Sequence, residues 1–307
     1  MNISRFFIVT SILLLVPLNG SLFAAMSSTN YQINHDTIKS GGSDRETSSS
    51  YKLRSTVNHG SHAHATSASY DIRDNYRSAI FDRITTFVVF VQNNSSQVAA
   101  TALSGSTVTV SSATGLAVND KIVIVQDEGE HQEVAYGQVN SVTGSDVELD
   151  FLTTDGSTLS IDGSSDYVYE LNGSALALGT LSDSTVATAV IAWEVAIDVP
   201  DGYDVFVVED HDLALTTDSS TIIGDVSDGQ VSSGNKEYGG RSSDTSLDSS
   251  TFDTEDTQFT SSFQQVADRS AALFRQRDFL TVKAAISSDT SSGDYSHTLT
   301  LIYAGDY

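Results

Sequence analysis

The chain has no cysteine. That excludes disulfides, thiol nucleophiles, cysteine-bound zinc and a lipid-modified N-terminal cysteine. An exported chain in this condition must rely on the size of its core, and 307 residues are enough to bury one. Basic residues are scarce: 15 Lys and Arg stand against 40 Asp and Glu, for a formal charge of −25. Such a surface repels phosphate backbones and anionic lipid headgroups, which argues against nucleic-acid and membrane-surface partners. It also offers many hard oxygen ligands, although a solvated acidic face is the plainer reading. Proline occurs twice and tryptophan once. Long runs of Ala, Leu, Glu and Lys are missing, while Ser, Thr, Gly, Asp and Val abound. That balance favours many short strands joined by polar turns.

Long apolar runs are missing too, with one exception. Residues 6–18 are apolar, follow Arg5 and lead into a polar stretch at 19–25. This is the layout of a secretory signal peptide over residues 1–25, cut at Ala24 or Ala25. Pro17 and the short core argue against a membrane span. The expected location is secreted, extracellular or at the cell surface, with no transmembrane segment in the mature chain.

What is present divides the remainder into four stretches. Residues 26–84 carry three copies of Ser-x-x-Tyr-x-(Ile/Leu), with Tyr31, Tyr51 and Tyr70 spaced 20 and 19 residues apart. Tyr and the aliphatic residue two places on share a strand face, so each copy is expected to be one strand. Residues 85–99 hold an apolar strand and the start of a polar linker that runs over 93–106. Residues 100–172 hold closely spaced short strands, as in a small barrel. Residues 173–307 carry the strongest alternation. Around Trp193, the large residues Ile191, Val195, Ile197 and Val199 alternate with Ala192, Glu194, Ala196 and Asp198. Pro200-Asp201-Gly202 supplies a turn, and residues 203–208 return apolar on both faces. The pair reads as a central hairpin with Trp193 as its core plug. Residues 217–257 read as long loops, and residues 263–274 fit either an amphipathic helix or a loop leading into a strand. The expected fold class is all-β: a C-terminal β-sandwich with a small inserted β-barrel-like module and an N-terminal β-strand repeat region.

Three patterns coincide in that order. The Ser-x-x-Tyr repeat follows a signal peptide. Ala177-Leu178-Gly179-Thr180-Leu181, Pro200-Asp201-Gly202-Tyr203 and Gly293-Asp294-Tyr295-Ser296-His297-Thr298-Leu299-Thr300 mark turns and strands of the sandwich. Gly115-Leu116-Ala117-Val118-Asn119-Asp120-Lys121-Ile122 marks a barrel turn, with Asn119 where glycine is commoner. Together these resemble secreted, functionally uncharacterised β-rich surface proteins of small-genome uncultured bacteria. The resemblance implies a surface location and a sandwich fold, and it brings no catalytic residues. On this reading the barrel is an insertion, and the strand within 86–91 belongs to the sandwich sheet.

Two clusters could hold a metal. Asp198, Asp201, Asp204, Asp210 and Asp212, with Glu209, flank the central hairpin, and oxygen ligands on loops suit Ca²⁺. Turn-forming aspartate accounts for most of them, and the spacing does not match a twelve-residue calcium loop. His59, His62 and His64 could chelate a transition metal, although a solvated loop explains them more simply. Arg269, Arg275 and Arg277 form a local basic cluster that acidic loops of the same chain can pair. No cofactor beyond Ca²⁺ is called for.

No Gly-x-Ser-x-Gly elbow, His-Glu-x-x-His or phosphate-cradling glycine loop occurs. The expectation is therefore an exported noncatalytic structural or adhesive cell-surface protein, not an enzyme, that self-assembles through β-edges. Its partners would be itself or other surface proteins. The alternatives are an extracellular glycan-binding module, stacking sugars on Tyr136, Tyr167, Tyr169 or Tyr238, and a secreted hydrolase.

Overall fold

The structure, a computed structural model, describes residues 85–197, 202–271 and 275–305; N-terminal to these it gives the backbone pairing of short strands alone. Residues 1–62 and 63–307 form two compact units. In the first, β1 (Ser27–Ser28) pairs antiparallel with β2 (Tyr31–Gln32), and β3 (Glu46–Thr47) with β4 (Lys52–Leu53). In the second, β5 (Ala63–Thr66) pairs with β6 (Asp71–Asp74) in the same way. Ser28 lies opposite Tyr31, Thr47 opposite Lys52 and Thr66 opposite Asp71. Tyr31, Leu53 and Ile72, one from each copy of the repeat, lie on the second strand of their pairs.

The larger unit holds a sandwich with a barrel inserted into it. β7 (Thr85–Val91) pairs along its length with β14 (Ala187–Ile197). Between them in sequence lie β8 (Val98–Ser104), β9 (Thr107–Val110), β10 (Lys121–Gln126), β11 (Glu133–Thr143), β12 (Asp146–Thr154) and β13 (Tyr167–Glu170). These six close into a barrel in the order β10-β11-β12-β9-β8-β13. The chain leaves the sandwich at Gln92 and returns at Gly173, whose N–H donates to the Val91 carbonyl at 2.8 Å. A side chain at Gly173 would start 2.5 Å from the Gln92 carbonyl oxygen, so only glycine lets the two chain segments meet. β8 occupies part of the expected polar linker. Its run Val98-Ala-Ala-Thr-Ala-Leu-Ser buries Ala100 in the barrel core, and small residues there had masked the strand.

One sandwich sheet runs β18 (Glu237–Ser242), β20 (Gln276–Ala285), β14, β7, and the facing sheet runs β19 (Gln264–Arg269), β15 (Tyr203–Glu209), β22 (Leu299–Gly305). A small third sheet joins β16 (Ala214–Leu215), β17 (Asp218–Ile222) and β21 (Tyr295–Ser296). β14 and β15 are thus not a hairpin: the chain crosses from one sheet to the other between them. Gly202 serves this crossing, with φ 93° and a Cβ position that would fall 1.6 Å from the Arg269 carbonyl oxygen.

The burial of these two strands also reverses the expectation. β15, apolar on both faces in sequence, buries Tyr203, Val205, Val207 and Glu209 and leaves the alternate residues half-buried. β14 is covered on both sides. Ile191, Trp193 and Val195 point between the sheets, where Trp193 is 0% exposed. Val190 and Ala192 face the barrel and pack with Val123, Val125, Tyr136 and Tyr169. Small side chains on that face let the barrel wall approach the sheet.

β18 and β19 arise where loops and a possible helix were expected. β18 reads Glu-Tyr-Gly-Gly-Arg-Ser, a poor strand by propensity. Its glycines are there for space: a Cβ at Gly240 would lie 2.7 Å from the Phe259 ring and 3.0 Å from the Thr281 carbonyl. In β19, Val266 and Ala267 are buried while Phe263 before it stays exposed. Gly240→Ala should lower stability by roughly 1–3 kcal/mol through overpacking. Gly224→Ala, whose Cβ would meet its nearest atom at an ordinary 3.7 Å, should change it little. Urea unfolding of both variants checks this, and equal midpoints would contradict it.

Candidate functional site

Beneath the barrel, Glu194 of β14 is half-buried and meets two cations. Lys121 Nζ lies 2.5 Å and Arg277 Nε 3.1 Å from its Oε1, and the Tyr136 hydroxyl donates to it at 3.2 Å. Burial acts to raise this carboxyl, but Lys121 and Arg277 outweigh it and hold it below the usual range. Arg277 in turn stacks 3.6 Å from the centre of the Phe151 ring. These groups pin the barrel to the sheet.

Two ends of the sandwich carry buried acids. Where β15 begins, Asp278 of β20 lies opposite Trp193 and faces inward. Arg269 of β19 reaches across from the other sheet, donating to Asp244 through Nη1 and to Asp278 through Nη2, the latter at 2.6 Å. One guanidinium thus serves two carboxylates. Burial pushes the Asp278 carboxyl up to about 6, with Arg269 opposing and Asp244 adding to the rise.

Where β15 ends, a second acidic group has no such cation among the described residues. Glu209 on the inward face, Asp212 in the following loop and Asp225 beyond β17 bring one carboxylate oxygen each to within 4.8 Å of one another. Asp225 is bridged to Tyr238 of β18, so the cluster spans both sheets. Glu209 is 5% exposed, and its Oε2 has no hydrogen-bond partner; nor does Oδ1 of Asp225. His297 Nδ1 lies 3.5 Å from Glu209 Oε2, but the ring is otherwise engaged. Its Nδ1 bonds to the His211 carbonyl at 3.1 Å, and its Nε2 meets the Tyr238 hydroxyl at 2.6 Å. That geometry fits a neutral imidazole carrying its proton on Nδ1. Burial also depresses the His297 pKa, against opposition from its His211 contact and nearby acids. Glu209 is driven the other way, up to about 7, by burial first and then by Asp225, Asp212 and Asp210. Burial and Asp212 raise Asp225 as well.

A surface cleft of about 610 Å³ lies between barrel and sandwich. Three of its carboxylates are committed to local structure. Asp256 takes Lys283 and the Val231 N–H, Glu130 takes Gln230, Ser232 and Ser233, and Asp155 takes Ser157.

The sides of the sandwich differ. On one, edge strands of the two sheets come together: β7 and β22 each have a single neighbouring strand among the described residues. Phe87 stacks on Tyr303 with ring centres 5.9 Å apart. Val89, which pairs with Trp193, points inward yet remains 39% exposed, and Val88 on the other face is 40% exposed. Leu299, Leu301 and Tyr303 of β22 face the core but are partly buried. The rim between the sheets is therefore apolar and incompletely covered.

Of the five expected calcium aspartates, the three described ones are not brought together. Asp198 and Asp201 lie outside the described residues. Asp204 sits near the start of β15, accepting from Gln265 at 2.6 Å, and at about 3.3 Å per residue it is roughly 20 Å along the strand from Asp210. Asp210 accepts the Thr298 N–H at 2.8 Å. Of the three described aspartates, Asp212 joins the cluster, with Glu209 and Asp225. Asp225 had no signal of its own, standing in a Ser, Gly and Asp stretch where any acid reads as loop. His59 and His62 lie outside the described residues, and His64 is seen as the β5 backbone opposite Arg73. Three of the four proposed sugar-stacking tyrosines, Tyr136, Tyr169 and Tyr238, are buried because inward strand positions recruit them to cores, and Tyr167 is half-buried. Of the arginines, Arg269 and Arg277 are paired as described, and Arg275 is exposed at φ 57°.

No family model and no curated protein matches the chain. Among solved structures, the chain is similar to one from a chaperone–tip adhesin complex of CFA/I fimbriae biogenesis. The match covers 80% of this chain and 90% of that one, at 9% identity and a TM-score of 0.28. A likeness that low carries no argument here.

Asp278 allows a pH test. Its carboxyl is raised in the fold above the ordinary 3.8, so its protonated form is favoured there. The associated stability is present below about pH 4 and lost as pH rises through about 6. Asp278→Asn should therefore gain on the wild type between pH 4 and 6 in urea midpoints. A constant difference across that range would contradict the assignment.

Proposed function

We propose that this is an exported, noncatalytic structural or adhesive component of a cell surface that associates through the β7–β22 side of its sandwich. The observation that carries this reading is the apolar rim. Phe87, Val89, Leu299 and Leu301 point toward the core from two edge strands and stay partly exposed. Edge strands with apolar side chains invite another strand, and native proteins usually guard them with charge, proline or a bulge. β7 reads Thr-Thr-Phe-Val-Val-Phe-Val and carries none of the three. In a chain this acidic, an uncharged apolar edge stands out. A strand added there would complete the inter-sheet core and supply main-chain hydrogen bonds at once.

The partner is a second copy of this chain or another surface protein. Export rests on the apolar N-terminal stretch with its flanking Arg5. Among the described residues, no helix is long and apolar enough to cross a membrane.

Sedimentation of the chain lacking residues 1–25 tests the association. Wild type should self-associate as concentration rises, and Val89→Lys should weaken this at least about tenfold by charging the edge. Val118→Lys changes an exposed apolar residue in a barrel turn and should leave it unaltered. A wild type that stays monomeric, or a Val118 variant that behaves like the Val89 one, would contradict the reading.

A further inference from the structure

The two ends of β15 pose the same electrostatic problem and meet it differently. At the first, inward carboxylates from one sheet are neutralised by Arg269 from the other. At the second, among the described residues, no lysine or arginine pairs with Glu209, Asp212 or Asp225. Among the described residues, no side chain supplies the cation that the arrangement requires. His297 does not serve, because both ring nitrogens are held by the His211 carbonyl and the Tyr238 hydroxyl.

An acidic cluster alone is no site, since exposed aspartates repel one another harmlessly in water. This one differs in a specific way. Glu209 is almost wholly buried, and one of its oxygens is left without a partner beside Asp212 and Asp225. A buried carboxylate oxygen lacking a hydrogen bond is costly unless something else satisfies it.

We infer that Glu209, Asp212 and Asp225 bind a Ca²⁺ ion that ties the two sheets together at this end of the sandwich. The donors are all hard oxygens, which selects against the softer transition metals. Ca²⁺ binds oxygen at about 2.3–2.6 Å, so one ion spans donors up to about 5 Å apart, and the limit of 4.8 Å lies within that span. Mg²⁺ demands about 2.1 Å and a near-ideal octahedron, which three carboxylates from separate loops match poorly. Asp212 and Asp225 are half-buried, so water can complete the coordination. The ion would do here what Arg269 does at the opposite end, in a chain that has no disulfide to do it. This inference does not depend on the association proposed above, and its test does not read association.

Isothermal titration of the EDTA-stripped chain with CaCl₂, alongside thermal unfolding, decides it. Wild type should bind one Ca²⁺ in the range of extracellular modules, about 10⁻⁴–10⁻³ M, and Tm should rise by several degrees in millimolar Ca²⁺. Asp225→Asn and Asp212→Asn should bind at least about tenfold more weakly, because ligand charge sets affinity. Both should remain folded without calcium, at a Tm no lower than wild type, since each removes a repelling charge. Asp204→Asn, at the far end of β15, should titrate as wild type. Absence of heat and Tm change, equal binding by the Asp225 and Asp212 variants, or an equal loss in the Asp204 variant would overturn the site. An equal response to MgCl₂ would overturn its assignment to calcium.

Discussion

Strand β14 is the shared wall of two cores, and most of the larger unit depends on it. Its Trp193 face closes the sandwich, while its Ala192 and Glu194 face receives the barrel. A charge at that second interface would be expensive if left alone. Lys121 from the barrel and Arg277 from the neighbouring strand share Glu194, and the rings of Phe151 and Phe90 lie under the cations. Because Lys121 opens barrel strand β10, barrel position and sheet geometry are fixed by one group of contacts. The inserted module is therefore part of the structural body and not an appendage on a linker.

The same logic extends to the ends of the sandwich. A sandwich is sealed along its middle by alternating apolar residues, but its ends let water reach inward-facing positions. Here those positions carry Asp278 at one end and Glu209 at the other. Charged groups there can join the two sheets without disulfides, provided each anion meets a cation. Arg269 meets one of them from within the chain.

Much of this was legible in sequence, and the failures share a cause. Trp193 as a core residue, the all-β class and the barrel follow from period-two alternation and turn chemistry, and the insertion after Gln92 is what the resemblance implied. Asn119 sits at φ 78° as its turn required. What alternation cannot show is the third layer. It reads Ala192 and Glu194 as a solvent face because small and charged residues look the same whether they meet water or a barrel. Strand β18 was hidden for a related reason: Gly239 and Gly240 are chosen for the space that Val226 and Phe259 occupy, not for strand propensity. The acidic cluster was half legible. Glu209 and Asp212 stood near the right turn, but Asp225 joins them through tertiary bridging to Tyr238, which no local pattern encodes.

The central claim is that β14 couples barrel and sandwich into one cooperative body. Trp193 is the single tryptophan, so its emission reports the sandwich core alone, while far-ultraviolet circular dichroism reports every strand. Tyr136→Ala alters a residue of the barrel that touches β14 from outside. In urea, this variant should shift the Trp193 and dichroism transitions together to a lower midpoint. A Trp193 midpoint that stays in place while the dichroism splits into two phases would contradict the coupling.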